Sequence, residues 1–181
     1  MNTILPSRHL WRFDLPALRR IAVVAGLAGA AAAAHAGGQV EVAFVNPPAY
    51  ADAGQTPFQP SANLQVLGDY LKTRGSAQIA AGQTLKIDVL DLVLAGSPAR
   101  RIGAGDVRIA RGGADWPRIT LRYSLTAADG QLLQSGNEVV ADLDYLRRTS
   151  TASTSGPLPY EKRMLADWLK TRFPAAVPIK G

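Results

Sequence analysis

The sequence predicts an α+β domain of two layers, in which two helices pack on a mixed, mainly antiparallel sheet. Three observations predict this class. Residues 116–126 alternate apolar and polar side chains, as a half-buried strand does. The Asp129-Gly130 pair that follows is typical of a hairpin turn. Two further segments, near residues 61–75 and 160–173, carry apolar side chains at helical spacing.

The first half of the domain is predicted to run strand, helix, strand. Residues 39–45 alternate valines and a phenylalanine with other residues, which indicates a strand, and the proline-rich residues 46–60 predict an irregular connection. Ser61 is expected to cap a helix that Gly75 ends. Residues 84–94 form a second strand, which we expect to pair in parallel with the first. Its apolar alternation changes phase at Val89-Leu90, which predicts either a bulge or a strand covered on both faces.

The second half is predicted to be mainly antiparallel. Residues 95–105 are expected to form a loop, 106–110 a short strand and 111–115 a turn. Residues 116–126 and 132–140 form the hairpin, with Gly136 weakening or bulging its second strand. A serine- and threonine-rich linker at 149–156 precedes a helix at 160–173, whose apolar stripe includes Trp168. Lys162 and Arg163 are expected on the solvent side of that helix.

The first 36 residues match a secretory signal peptide. Arg19 and Arg20 precede a short apolar run, and Ala34-His35-Ala36 supplies the small residues that signal peptidase accepts. The run is too short and too rich in alanine for a membrane anchor. We therefore expect cleavage after Ala36, a periplasmic or secreted protein, and no membrane span after cleavage. One domain at 37–173 and a tail at 174–181 would remain.

Composition excludes several kinds of chemistry for the chain that follows the leader. The leader holds both histidines, four of the 20 basic residues and one of the 14 acidic residues, so 16 basic and 13 acidic residues remain and the net charge is +3. This small charge does not indicate nucleic acid as a partner. The whole chain lacks cysteine, which excludes disulfides and thiol chemistry, and without histidine a Ser-His-Asp triad cannot form. Carboxylate chemistry, a Ser-Lys pair, oxygen-ligand metals such as Ca²⁺, or no chemistry at all remain.

The candidate binding residues lie on and beside the strand at 116–126. Arg118, Thr120 and Arg122 share its outward face, and Arg108 and Arg111 are expected nearby, so together they predict a cationic patch for phosphate or carboxylate groups. Trp116 at the start of this strand is a candidate for stacking. The competing interpretation is structural: basic residues are ordinary on the solvated face of a sheet, and Trp116 would then cover the edge of the core.

Four carboxylates give the alternative interpretation of an enzyme. They lie at predicted turns and strand ends, where a pair could hold Ca²⁺ or cleave a glycoside; they are Asp106, Asp115, Asp142 and Asp144. Aspartate at such places more often binds its own turn, and the spacing does not match an EF-hand loop. We therefore predict no metal site, no cofactor and no catalytic residue.

Several short motifs resemble a known family. They are Gly105-Asp106-Val107-Arg108-Ile109, then Trp116-Pro117-Arg118-Ile119, then Asp142 with Tyr145, and finally Tyr160-Glu161-Lys162-Arg163-Met164-Leu165 with Trp168. As a set they resemble the bacterial exported domain-of-unknown-function family numbered 3016, over about residues 40–173. The resemblance implies an envelope or secreted location and carries no catalytic residues.

Three functions follow as hypotheses. The first is a non-enzymatic exported binding domain, whose partner is an envelope protein or an anionic envelope component and whose contacts are Arg108, Trp116, Arg118 and Arg122. The second is a carboxylate-dependent hydrolase, which would need two carboxyl groups facing one cleft. The third is a structural subunit of an envelope assembly, which would show an exposed apolar patch.

Overall fold

The computed structural model describes residues 37–54, 59–101, 105–147 and 156–174. The predicted leader, nearly all of the predicted linker and most of the predicted tail lie outside these residues. The described elements follow one another in the order β1 (Gln39–Phe44), α1 (Gln59–Ser76), β2 (Thr84–Val93), β3 (Ser97–Arg101), β4 (Gly105–Ile109), β5 (Arg118–Thr126), β6 (Leu132–Ala141) and α2 (Pro159–Arg172), with a short 3₁₀ turn at Pro47–Ala49. No helix in these ranges is long and apolar enough to cross a membrane.

The main sheet has four strands in the order β1-β2-β5-β6. β1 pairs in parallel with β2, whereas β2 with β5 and β5 with β6 are antiparallel. The predicted α+β class, with a mixed and mainly antiparallel sheet, is therefore confirmed, as is the parallel pairing of the first two strands. A second small sheet pairs β3 with β4.

The change of phase in β2 is a bulge. The pairing with β5 shifts between Val89 and Asp91. Beyond it Leu92 and Leu94 are again buried, as Val89 is before it. One extra residue turns the second half of the strand so that its leucines return to the core. The bulge was one of the two predicted explanations of this pattern.

Both helices cover one face of the sheet. Leu67 and Leu71 of α1 and Leu165 and Leu169 of α2 are almost fully buried in one core with the inward residues of β2 and β5. The inward residues of β5 are the four predicted from its alternation, namely Ile119, Leu121, Tyr123 and Leu125. Since one face of the sheet is buried and the other carries polar side chains, the domain has the predicted two layers.

Three local predictions were wrong. Ser61 and Gly75 lie within α1 and do not bound it. Gly75 is buried there because a Cβ would come within 3.0 Å of Val40, so its small size brings α1 close to β1. Gly136 pairs regularly with Tyr123, so the bulge predicted there is absent, whereas the alternative, a weakened strand, stays a prediction. The Tyr123 ring lies 3.0 Å from where a Cβ of residue 136 would be. The segment predicted as a loop at 95–105 contains β3, because pairing with β4 satisfies its backbone groups despite Pro98.

Candidate functional site

The side chains on the open face of the main sheet are mainly polar, although Val93, Ala141 and Val139 lie opposite Arg118 and Thr120 on the same face. In β5 the outward residues Arg118, Thr120, Arg122 and Ser124 alternate with buried ones, and residues directly opposite on β2 and β6 share that face. We call this surface the polar sheet face; its residues are Lys86, Asp88, Arg118, Thr120, Arg122, Ser124, Ser135 and Asn137. Around Arg122 and Ser124 lies a shallow depression of about 280 Å³, and Arg118 and Thr120 are not part of its lining.

The three basic residues of the polar sheet face differ in their partners. Arg122 contacts Asp88 on the neighbouring strand with an N–O distance of 2.6 Å, and Lys86 contacts Glu41 at 3.4 Å. Arg118 is half-buried, and its guanidinium makes no hydrogen bond or ion pair with any residue that the structure describes. Arg118 is thus the cation of this face whose hydrogen-bonding capacity is left for a ligand or water.

Trp116 lies two residues before Arg118 and is half-buried. Pro117 between them is buried, and its carbonyl accepts a hydrogen bond from the Asp142 N–H at 3.2 Å, which fixes the start of the strand. Trp116 thus lies just before the start of β5, where Arg118 begins the polar sheet face. Arg122 lies about 13 Å further along the strand, at the usual rise per residue.

The structure separates Arg108 from the other predicted contacts. Its guanidinium forms a fork with the Asp52 carboxylate, at 2.7 and 3.1 Å, and also donates to the carbonyls of Leu94, Ala95 and Gly96. These five contacts use four of the five N–H groups of the guanidinium, because Nη2 shares its two N–H groups among three acceptors and Nη1 uses one of its two. Arg108 thus ties the end of β2 to β4, and its partners already provide the contacts that a ligand anion would need.

The same loop is held from the other side by Glu161, in the first turn of α2. This carboxylate is 2% exposed, and its Oε1 accepts a hydrogen bond from the Ala95 N–H at 2.7 Å. Burial raises the pKa of Glu161, and the hydrogen bonds from the backbone N–H groups of Ala95 and Glu161 and the charge of Arg108 oppose this rise only in part.

Glu161 should make the stability of the fold depend on pH. The pKa of Glu161 is higher in the folded chain than in the unfolded chain, so the unfolded chain loses this proton first as pH rises above the usual pKa of 4.5. The free energy of unfolding therefore falls with rising pH until the pH exceeds the pKa of Glu161 in the folded chain. Glu161→Gln keeps the oxygen that accepts from Ala95 and cannot ionise. We therefore expect urea denaturation between pH 4 and 8 to show the variant gaining stability over the wild type as pH rises. Asp144→Asn, at an exposed carboxylate, is the control; a parallel change in both variants would contradict the prediction.

The predicted carboxylates are engaged separately. Asp115 accepts the Tyr145 hydroxyl at 2.8 Å and the Arg111 N–H at 2.9 Å, and that N–H lowers its pKa. Asp142 is buried against Arg163, and Asp144 is exposed near Arg147. The side chain of Asp106 lies outside the described residues. Arg163 had been expected on the solvent side; that prediction was wrong, because its guanidinium turns inward to Asp142 and to the Tyr145 carbonyl.

One cleft of about 360 Å³ has two carboxylates in its wall, Asp52 and Asp115. Asp52 is bound by Arg108 there, and the lowered pKa of Asp115 is opposite to what a general acid requires. Within the described ranges no three or more acidic residues gather as a metal site would need. The contacts of these carboxylates support a structural role.

The geometry defines a class of protein: an α+β domain in which two helices cover one face of the sheet and the other face is open and carries the polar sheet face. The sequence model of the family described as protein of unknown function (DUF3016) matches residues 38–171. The chain belongs to this family, as the motifs predicted. No curated protein matches the chain. The polar side chains of the motifs that can be placed include Arg108, Asp142, Tyr145, Glu161 and Arg163, all of which hold turns and loops together.

Proposed function

We propose that this protein is an exported, non-catalytic binding module that uses the polar sheet face to bind a phosphate or carboxylate group of an envelope component. The observation that carries the proposal is the guanidinium of Arg118, which is half-buried and has no protein partner in the described structure. Because the guanidinium of Arg118 is already partly dehydrated in the folded protein, less hydration free energy is lost when an anion replaces its remaining water. Its planar fork also matches such groups in two parallel hydrogen bonds.

The neighbours of Arg118 suit such a ligand. Trp116 offers an aromatic surface at the end of the face, where a sugar ring or an apolar part of a ligand can stack. Thr120 follows on the same face with a hydroxyl group, and Arg122 lies beyond it. Because Asp88 compensates Arg122, that residue contributes mainly hydrogen bonds and only a small net charge. Arg108 is not among the contacts in this proposal, since Asp52 and three carbonyls occupy its donors.

Export is the second part of the proposal and is supported by the leader pattern of residues 1–36. The two histidines of the chain lie within that leader, so a chain cut after Ala36 has neither imidazole nor thiol groups. This composition favours binding over catalysis, because the side chains that most often act as bases and nucleophiles are missing.

A structural role in an assembly is the second candidate function, and a separate observation favours it. Large apolar side chains are exposed along β6 and in the turn after it, where Val139 and Leu143 are 66% and 67% exposed. An apolar strip of this kind on a small domain is typical of a contact surface. Val139 lies opposite Thr120 at the β6 side of the open face, and Leu143 lies in the turn beyond it, so a partner bound there would border the polar sheet face.

The proposed ligand binding can be tested with the double variant Arg118→Glu/Arg122→Glu. The protein is purified from the periplasmic fraction, and its mass should show cleavage after Ala36. Immobilised wild-type protein should bind lipopolysaccharide or an acidic glycan, with binding that weakens as salt is raised, because exposed charges are screened. The double variant should lose at least tenfold in affinity, since loss of one charge-assisted contact costs about 1.5–3 kcal/mol.

The matched control is Arg74→Glu/Lys170→Glu. It makes the same change in net charge at exposed positions on the helices, which cover the opposite side of the sheet. Thermal unfolding of both variants checks that they fold. Equal binding by the two double variants would show that Arg118 and Arg122 have no special role, and a mature chain that keeps residue 35 would contradict export with cleavage.

A further inference from the structure

The outer edge of β6 has the features of a strand that pairs with another strand. β6 is ten residues long and forms one edge of the main sheet, and within the described residues its ladder partner is β5 alone. Edge strands in soluble proteins are commonly protected by lysine, proline, short length, a β-bulge or an inward-pointing charge. β6 contains no lysine and no proline, and it is as long as the central strand β2. It has a bulge only near its start, at Leu133, and one inward-pointing charge, Glu138, which leaves its stretch from Gln134 to Ala141 regularly paired. The opposite edge, β1, is only six residues long and carries the exposed Glu41.

The side chains along this edge are apolar or uncharged on the open side. Leu132, Leu133 and Val139 are 58%, 47% and 66% exposed. The one ionisable side chain of β6 is Glu138, and it points to the helix layer, where it binds Arg172 at 2.6 Å and the Trp168 indole N–H at 2.9 Å. No like charges would therefore meet if two such edges came together.

The backbone pattern shows which residues can pair outward. The Asp142 N–H donates to the Pro117 carbonyl, so the pair 117/142 is a hydrogen-bonded pair of the β5–β6 ladder. Hydrogen-bonded and non-hydrogen-bonded pairs alternate in an antiparallel ladder. The even-numbered residues of the regular part of β6 thus use their backbone groups toward β5, and the odd-numbered residues direct theirs to the free edge.

We propose that β6 pairs with β6 of a second copy of this chain, antiparallel, about a two-fold axis at Gly136. In this register Leu133 lies opposite Val139 of the second copy, and Ser135 lies opposite its Asn137. Ser135, Asn137 and Val139 are odd-numbered residues of the regular part of β6, so their N–H and C=O groups face the free edge. Leu133 lies at the bulge where the pairing with β5 shifts, so the Ser135–Asn137 pairs carry the regular backbone hydrogen bonds of the proposed interface. Gln134 lies opposite the second copy's Glu138 on the helix side, as an amide facing a carboxylate.

The choice of a second copy as the partner rests on this self-complementarity. The residues from 133 to 139 have the pattern apolar, polar, polar, glycine, polar, polar, apolar, which is the same in both directions. An isologous interface requires such a pattern, because each patch must match itself after the two-fold rotation. The pairing joins two four-stranded sheets into one and leaves the polar sheet face of each copy open, so it is independent of the proposed ligand binding.

The test is sedimentation velocity on the protein as it is purified from the expressing cell. It is combined with variants that place opposite charges on the two residues of the proposed Leu133–Val139 pair. A single edge strand buries less than a standard interface, so we expect the wild type to shift from monomer to dimer between about 1 and 100 µM. Leu133→Glu and Val139→Lys should each remain monomeric throughout this range. The double variant Leu133→Glu/Val139→Lys should dimerise again, because residue 133 then faces a lysine at 139 of the second copy.

The control is Thr73→Lys, which places the same charge at an exposed position on helix α1, on the other side of the sheet; it should dimerise as the wild type does. Circular dichroism and thermal unfolding confirm that each variant is folded. A wild type that stays monomeric at 100 µM would overturn the proposal. That result is also expected if another part of the chain covers the edge of β6, and the proposal would then be equally wrong. Dimers that persist in both single variants, or a double variant that does not recover, would overturn the pairing about Gly136.

Discussion

Replacing Trp168 by alanine should lower the free energy of unfolding by about 3–5 kcal/mol, the usual cost of deleting a large buried aromatic side chain. Trp168 is 7% exposed and packs edge to face against Tyr123 at 5.8 Å and Phe173 at 5.6 Å. Its indole N–H also donates to Glu138 of β6 at 2.9 Å. The side chain therefore joins α2 to two strands of the sheet, and the alanine variant loses packing and leaves one acceptor bond of Glu138 unmade.

Urea denaturation followed by circular dichroism measures this effect, and Trp168→Phe is the matched variant. Phenylalanine keeps a ring in the core but has no N–H group, so it should cost less than half as much as alanine. Glu138 retains its ion pair with Arg172 in both variants. A loss below about 1 kcal/mol for Trp168→Ala would be expected only of a surface position, and would mean that α2 does not pack on the sheet as described.

The sequence predicted the parts of the fold that depend on periodicity. The alternation of β5 places Ile119, Leu121 and Tyr123 inward, because a strand has a period of two and the helices cover one face. The apolar stripe of α2 was likewise visible, and Trp168 and Leu169 are buried as expected. These predictions succeeded because each depends on neighbours within one element.

The errors arose where tertiary contacts override local preferences. Gly75 is a typical residue for a helix end, but here it lies within α1, where Val40 approaches too closely for a side chain. Gly136 is a typical site for a bulge, but the Tyr123 ring occupies the space that its missing side chain leaves. Nothing in the neighbouring sequence shows which strand or helix will come close, so such glycines cannot be assigned from local pattern alone.

The candidate site was predicted in part. The shared face of Arg118 and Arg122 follows from alternation, and the structure shows both on it, although their role in binding stays a prediction. The pairing of Arg108 with Asp52 joins residues 56 positions apart, and Ala95 and Glu161 are 66 positions apart. Sequence spacing carries no signal for such contacts. Asp52 lies in a proline-rich connection and Glu161 at the start of a helix. Neither position gave a reason to expect that both residues would bind the segment after β2.

Replacing Arg163 by methionine should cost about 3 kcal/mol or more, because it removes the guanidinium that binds the buried carboxylate of Asp142. The two side chains are only 12% and 6% exposed, and their closest N–O distance is 2.9 Å. The same guanidinium also binds the carbonyl of Tyr145, so it holds the turn after β6 against α2. Methionine has a similar length and fills the space without supplying charge.

Two further variants separate the charge effect from the loss of packing, with urea denaturation at pH 7 as the measurement. Arg147→Met removes the cation of an exposed pair, in which Arg147 and Asp144 are 87% and 68% exposed and 3.9 Å apart, and should change stability by less than about 1 kcal/mol. The double variant Arg163→Met/Asp142→Leu should recover most of the loss, because an apolar pair then replaces the buried ion pair. If Arg163→Met costs no more than Arg147→Met, the pair is hydrated in solution and the turn after β6 is held by other contacts. If the single variant is strongly destabilised and the double variant does not recover, the bond to the Tyr145 carbonyl contributes more than the ion pair.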